Sequence, residues 1–161
     1  MPAQPSLPAQ PAGPALLEPG LERRLATRLF NRVWELLERS VRSRDDEDEL
    51  LHAAHASRFH WGEVGEPVDR ARGEWQCSRV YAALGRAEPA LHHARRCLDL
   101  AEEHKLSPYD VGCAHEAIAR AAGLAGRGDE AARHLALARA VAEEVADPEQ
   151  RLVLLGDIDT A

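Results

Sequence analysis

The sequence predicts an all-α protein built of antiparallel helical hairpins, and three observations carry that expectation. The first is composition: the 161 residues include 29 alanines and 19 arginines but only 7 aromatics. Alanine, leucine, arginine and glutamate are strong helix formers, while valine, isoleucine and aromatics are too sparse for a sandwich or barrel. The second is periodicity. Leu25, Leu29, Val33, Leu36 and Leu37 recur at helical spacing, and Phe30 and Trp34 form an i,i+4 aromatic pair. The third is punctuation, because Gly and Pro residues cut the chain into helix-length pieces.

Seven helical segments follow from that punctuation. The first spans about 21–43. The second starts at the acidic run Asp45–Glu49, which suits a helix N-terminus electrostatically, continues through His60 and stops by Gly62 and Gly65. The third opens at Pro67, a residue suited to a first helical turn, and ends at Gly85. The fourth covers about 88–104, with Pro89 in its first turn. Ser107 caps the fifth ahead of Pro108, and Gly126 closes it. The sixth covers about 129–146. Asp147–Pro148 opens a short seventh over about 148–156. Short connections make neighbouring helices antiparallel.

An internal repeat ties these pieces together. Residues 71–104 laid over 112–145 give eight identities in 34 positions, among them Arg79 with Arg120, Gly85 with Gly126, Ala90 with Ala131 and His93 with His134. The unit is helix, glycine turn, helix, and such units bury one face against the next. The spacing Tyr81, Gly85, Ala90 resembles the tetratricopeptide repeat (TPR), with an aromatic in the first helix, a glycine in the turn and a small alanine five residues on. The second copy keeps Gly126 and Ala131 but has Ala122 in the aromatic position, and the family's late proline is missing from both. The resemblance implies a divergent TPR-like α-solenoid over 21–158, with repeats at about 71–104 and 112–145 and a degenerate first hairpin at 21–62.

Composition bounds the function classes. A net charge of −7 argues against general nucleic-acid binding, which needs a basic surface. Nothing approaches 18 consecutive apolar residues, so no membrane span is expected. Cys77, Cys97 and Cys113 have neither disulfide-framework nor zinc spacing, suit a reducing cytoplasm, and read as small buried hydrophobes. Residues 1–20 carry no charge before Glu18, and Pro2, Pro5, Pro8, Pro11 and Pro14 recur every third residue. They read as a disordered or polyproline-like tail, and the threefold spacing also fits a PxxP-type ligand.

The candidate site residues fall into two groups. In TPR proteins the first helices of the repeats line a peptide-binding groove. The resemblance therefore implies a groove formed by Arg72, Trp75 and Arg79 in one copy and Cys113, Glu116 and Arg120 in the next. Arg and Trp are favoured at binding hot spots, and the paired guanidinium groups of Arg79 and Arg120 are suited to a carboxylate. The alternative is that these arginines pair with acids of the chain itself, such as Glu74 or Glu116. Arg58 and Trp61 stand at the edge of this set, in a stretch where histidine, arginine and aromatics gather. The second group is His52, His55 and His60, which fit about 140° of arc on one helix. With a carboxylate such as Glu74 they can be read as ligands of a divalent transition metal, or as histidines hydrogen-bonded within a polar helix interface. The expected function is a cytoplasmic adaptor, needing no cofactor, that takes a peptide or acidic protein segment in the Arg/Trp-lined groove. The alternative is a small metal- or ligand-dependent enzyme using the histidines. Self-association into a homo-oligomer is a third possibility; nucleic acid and membrane are not expected partners.

Overall fold

A computed structural model describes residues 17–161. Of the predicted tail, residues 1–16 lie outside the described residues. The helices are α1 (Pro19–Leu37), α2 (Arg44–Val64), α3 (Pro67–Ala83), α4 (Ala87–Glu103), α5 (Pro108–Leu124), α6 (Gly128–Ala142) and α7 (Pro148–Asp159). Among the described residues no strand occurs.

Local chemistry explains the boundaries. Pro19, Pro67, Pro108 and Pro148 each stand in the first turn of a helix, where the missing N–H is no loss. Helix α1 therefore starts at Pro19, two residues before the position expected from the sequence. It also ends at Leu37, not near 43, because its apolar stripe stops there and Ser43 already caps α2. The Ser43 hydroxyl accepts from the Asp46 N–H at 3.2 Å, and the Asp46 carboxylate accepts from the Ser43 N–H at 2.9 Å, which is a capping box. Helix α6 stops at Ala142 rather than 146. Its last turn tightens into i→i+3 bonds such as Glu144 N–H to Val141 C=O at 2.9 Å, and Asp147 then caps α7 through Glu149 N–H at 2.8 Å.

Two helix–helix turns are built alike. Gly85 and Gly126 have φ of +70° and +72°, a left-handed conformation that disfavours any side chain. In each turn the following arginine N–H reaches back to the last helical turn, Arg86 to Tyr81 C=O and Arg127 to Ala122 C=O, both at 2.9 Å. This is the Schellman pattern, which satisfies carbonyls left open at a helix end.

Packing is sequential. The pairs α1–α2, α3–α4 and α5–α6 form hairpins, each hairpin touches the next, and α1, α3, α5 and α7 also contact one another in succession. Helix α5 lies at the centre and is buried nearly all round through Ala114, Ala117, Ala119, Ala121 and Ala122. Small side chains let α3, α4, α6 and α7 approach it closely. Helix α7 comes so near that a Cβ on Gly112 would sit 2.5 Å from a Leu154 methyl. Trp75 on α3 packs against three of the four hydrophobic clusters and so ties the hairpins to one another.

Candidate binding cavity on the odd-numbered helices

The odd-numbered helices line a half-open cavity of about 520 Å³, within the range of small-ligand sites. Helix α1 supplies Phe30 and Trp34. Helix α3 supplies Ala71, Arg72, Trp75 and Arg79, and α5 supplies Tyr109, Asp110 and Cys113. Helix α7 closes the far side with Gln150, Val153 and Asp157, and Cys97 of α4 forms part of the floor. The walls are aromatic: the Trp34 and Trp75 rings lie 5.5 Å apart, centroid to centroid. A smaller recess of about 150 Å³, lined by Thr27, Phe30, Trp61, Asp69 and Arg72, shares Phe30 and Arg72 with the main cavity.

Two donors at the cavity are unsatisfied. The indole Nε1 of Trp75 and the Nη1 of Arg79 are buried and find no hydrogen-bond partner among the described residues. Both atoms are sealed from solvent, and Arg79 Nη1 lies 3.5 Å from Glu116 Oε1, so neither opens onto the cavity. The formal charges, by contrast, are answered inside the chain. Arg72 donates to Asp110 at 2.8 Å and Arg79 to Asp157 at 2.9 Å. The cavity thus carries two cations and two anions.

The sequence-predicted groove residues divide around this cavity. Arg72, Trp75, Arg79 and Cys113 line it. Glu116 lies beneath it, 1% exposed. Arg79 and Arg120 do converge on one carboxylate, but it is the chain's own: Glu116 Oε1 lies 3.5 Å from Arg79 and 2.7 Å from Arg120. Burial pushes the Glu116 carboxyl above its ordinary range, while Arg120 and Arg79 pull it down. Arg120 also donates to the Asp157 and Thr160 carbonyls at 3.0 Å each, so it clamps the end of α7. Trp61 lines the smaller recess and carries the Arg23 guanidinium 5.6 Å from its ring centroid. Arg58 faces elsewhere, donating to Glu74 at 2.8 Å.

The predicted metal set does not converge. His52 is exposed. His55 Nε2 lies 2.8 Å from the Tyr81 hydroxyl, and His60 pairs with Glu22 on α1. Glu74 is held between Arg58 at 2.8 Å and His93 at 2.7 Å. Among the described residues, no group of three or more His, Cys, Asp or Glu side chains is arranged to hold a metal ion. Burial alone would raise the Glu74 carboxyl; His93 and Arg58 outweigh it and hold it below the ordinary value. Burial pushes the Cys77 and Cys113 thiols up to about 12 and raises Cys97 further, so none is a ready nucleophile.

Residues on α1 and α7, with Tyr109 and Asp110 of α5, complete the cavity, and the sequence alone does not single them out as site residues. The Phe30–Trp34 pair is visible as helix periodicity, but the face it presents is not. Val153, half exposed on a short terminal helix, gives no signal of its own. Compared with protein-family models, curated proteins and solved structures, the chain matches none. Its functional reading therefore rests on the cavity.

Proposed function

We propose that the chain is a non-catalytic binding module, a divergent TPR-like adaptor that takes an extended, uncharged peptide segment in the cavity between its odd-numbered helices. The observation that carries this reading is the half-open cavity walled by Phe30, Trp34, Trp75, Tyr109 and Val153, with its charged side chains paired to one another. Such apolar, aromatic walls suit the apolar side chains of an extended segment. The repeat reading draws support from matched contacts. Positions 74 and 93 hold a Glu–His pair across one hairpin at 2.7 Å, and the positions 41 residues on, His115 and His134, pair across the next at 3.0 Å. The internal pairing of Arg72 and Arg79 favours a neutral segment over the acidic one that residue types alone suggest. The histidine-based enzyme reading gains no comparable support, since His52 is exposed, His60 pairs with Glu22, and His55 and Glu74 are linked only through His93 and Tyr81.

The test is a titration read at the Trp75 indole by ¹H–¹⁵N NMR. The protein would carry glycine at Pro5, Pro8, Pro11 and Pro14, so that its own prolines do not compete. Uncharged proline-rich decapeptides should shift the Trp75 signal saturably, and Trp75→Phe should weaken binding at least tenfold with helicity unchanged. Stronger binding of acidic decapeptides would restore the acidic reading. Absence of saturable binding by both classes would overturn the proposal.

A further inference from the structure

We infer that α7 is a hinged lid on the cavity, latched at its tip by charge and able to open while α5 beneath it stays folded. The peptide-binding reading above supplies what passes under the lid; the opening itself does not depend on that reading.

Helix α7 is a wall of the cavity with little apolar hold on the rest of the fold. It contributes Gln150, Val153 and Asp157 to the lining. Of its 12 residues only Leu154 and Ile158 are buried, whereas α5 buries 11 of 17. Leu152 and Val153 are exposed, and the backbone of α7 approaches no helix except α5 and α6. A helix with so few buried apolar side chains opens at lower cost than the whole fold.

What holds the tip is polar, and it comes from three helices. Arg79 of α3 donates to the Asp157 carboxylate at 2.9 Å, and Arg139 of α6 donates to the Asp159 carboxylate at 2.8 Å. Arg120 of α5 donates to the Asp157 and Thr160 carbonyls at 3.0 Å each. Three guanidinium groups thus meet the last turn of α7, the end at which a helix dipole favours cations. The Arg139–Asp159 pair stands in solvent and the Arg79–Asp157 pair is partly exposed, so salt weakens both. Release of the tip does not strand Arg79 without a carboxylate. Glu116 Oε1, which already takes Arg120 at 2.7 Å, lies 3.5 Å from Arg79.

The base of the lid stays attached. Residues 143–147 leave regular helix and form the connector from α6, and within it Val145 is buried. Arg151, in the first turns of α7, donates to the Val145 carbonyl at 2.7 Å and to the Glu143 carbonyl at 3.2 Å. Between base and tip one close fit seats the helix: buried Leu154 lies over Gly112, where a Cβ would come within 2.5 Å of its methyl. A helix anchored at its base and latched at its tip swings on the connector. Opening turns the half-open cavity into a groove bounded by α1, α3 and α5, which an extended segment can enter from the side, and closing restores the fourth wall.

The experiment is native-state amide hydrogen exchange on the full chain without ligand, followed residue by residue by NMR. Amides of Leu154–Asp159 should exchange about tenfold faster than those of Cys113–Ala122, or faster still. Raising NaCl from about 20 mM to about 500 mM should speed α7 about threefold and leave α5 unchanged. Asp157→Asn should speed α7 by a similar factor at low salt. Gly112→Ala separates lid from body most sharply. It removes a helix-weakening glycine from α5, yet its methyl displaces Leu154, so α7 should exchange about tenfold faster while α5 exchanges no faster.

Exchange of α7 and α5 at one common rate overturns the lid, because the two would then open only together. Exchange of α7 that ignores both salt and Asp157→Asn overturns the charge latch and the inference with it. Loss of α5 protection together with that of α7 in Gly112→Ala overturns independent opening. Failure of every peptide to bind removes the peptide reading of the cavity and leaves the lid standing, since these measurements use no ligand.

Discussion

Helix α3 presents two neighbouring residues to opposite fates, and the contrast locates the site. Glu74 faces the even-numbered helices, where a polar cluster surrounds it: Arg58 and His93 hold its two oxygens, the His93 ring stacks on Tyr81 at 5.6 Å, and Tyr81 meets His55. Trp75, one residue on and ~100° around the helix, faces the odd-numbered helices and walls the open cavity. Both faces mix aromatics with charge, so residue type alone does not separate them. Open space does. A satisfied polar cluster is accounted for by structure, whereas an open aromatic cavity suits a ligand.

The contrast is testable from its largest consequence downward. Trp75→Ala removes the side chain shared by three hydrophobic clusters, and should cost about 3–4 kcal/mol in urea denaturation. Trp75→Phe should retain most of that stability, because only the donor and one ring are lost. Glu74→Ala leaves Arg58 and His93 facing each other without their shared carboxylate, and a loss of about 2–3 kcal/mol is expected. The double variant Glu74→Ala/His93→Ala should lose less than the sum of the single changes, since the pair acts as a unit. A fully additive result would break the view of this face as a coupled network. Gly85→Ala and Gly126→Ala each force a side chain into a left-handed turn and should each cost about 1–2 kcal/mol. A large disparity between them would break the equivalence of the two hairpins.

The two polar pairs at equivalent positions should also separate in pH. His115 and His134 meet Nδ1 to Nδ1 at 3.0 Å, a contact that tolerates one shared proton but not two charged rings. Burial, with His134 and Arg133 adding to it, lowers His115 below its ordinary 6.5, and burial with Arg133 lowers His134 likewise. A depressed folded-state histidine binds fewer protons than the unfolded chain, so its stabilisation is complete above about pH 6.5 and is lost as the pH falls below it. Glu74, held below its ordinary 4.5, loses its contribution only at more acid pH. Urea midpoints measured from pH 8 to pH 4 should therefore fall first near pH 6, and that first step should shrink in His115→Leu/His134→Leu, the remainder belonging to His55, which burial and His93 also lower. The smallest stability effect belongs to Val153→Glu on the cavity rim. It should change stability by no more than about 0.5 kcal/mol while removing peptide binding.

Much of the architecture is legible in the sequence because helix periods, prolines and glycine turns act locally. All seven helices are expected from it, and the differences sit where neighbours intervene. The sequence pattern extends α1 six residues too far because Ser43 serves α2, a fact that depends on Asp46 folding back to it. The site is legible in part. Repeat position places Arg72, Trp75 and Arg79 together, and aromatic spacing pairs Phe30 with Trp34. That α1 and α7 close the same cavity is not legible, because it depends on Gly112 admitting Leu154 and on Arg120 fastening the α7 terminus. The histidines illustrate the reverse case. Their common arc on α2 is correct in azimuth, but arc is not convergence: α1 offers Glu22 to His60, α3 offers Tyr81 to His55, and nothing gathers them.

By itself, then, the sequence determined the helices, their order and their hairpin turns, since these follow from residues within a few positions of one another. It also determined an uncharged segment with proline at every third place. The tertiary structure decided which charges remain free and which donors remain unpaired. Arg79 and Arg120 are cations in the sequence, but in the fold they are neutralised by Glu116 and Asp157, the latter 78 residues distant from Arg79 in the chain. Trp75 is only an aromatic residue in the sequence, and in the fold it is an orphan donor. The physical reason is that pairing is a property of three-dimensional neighbours, and only packing chooses them.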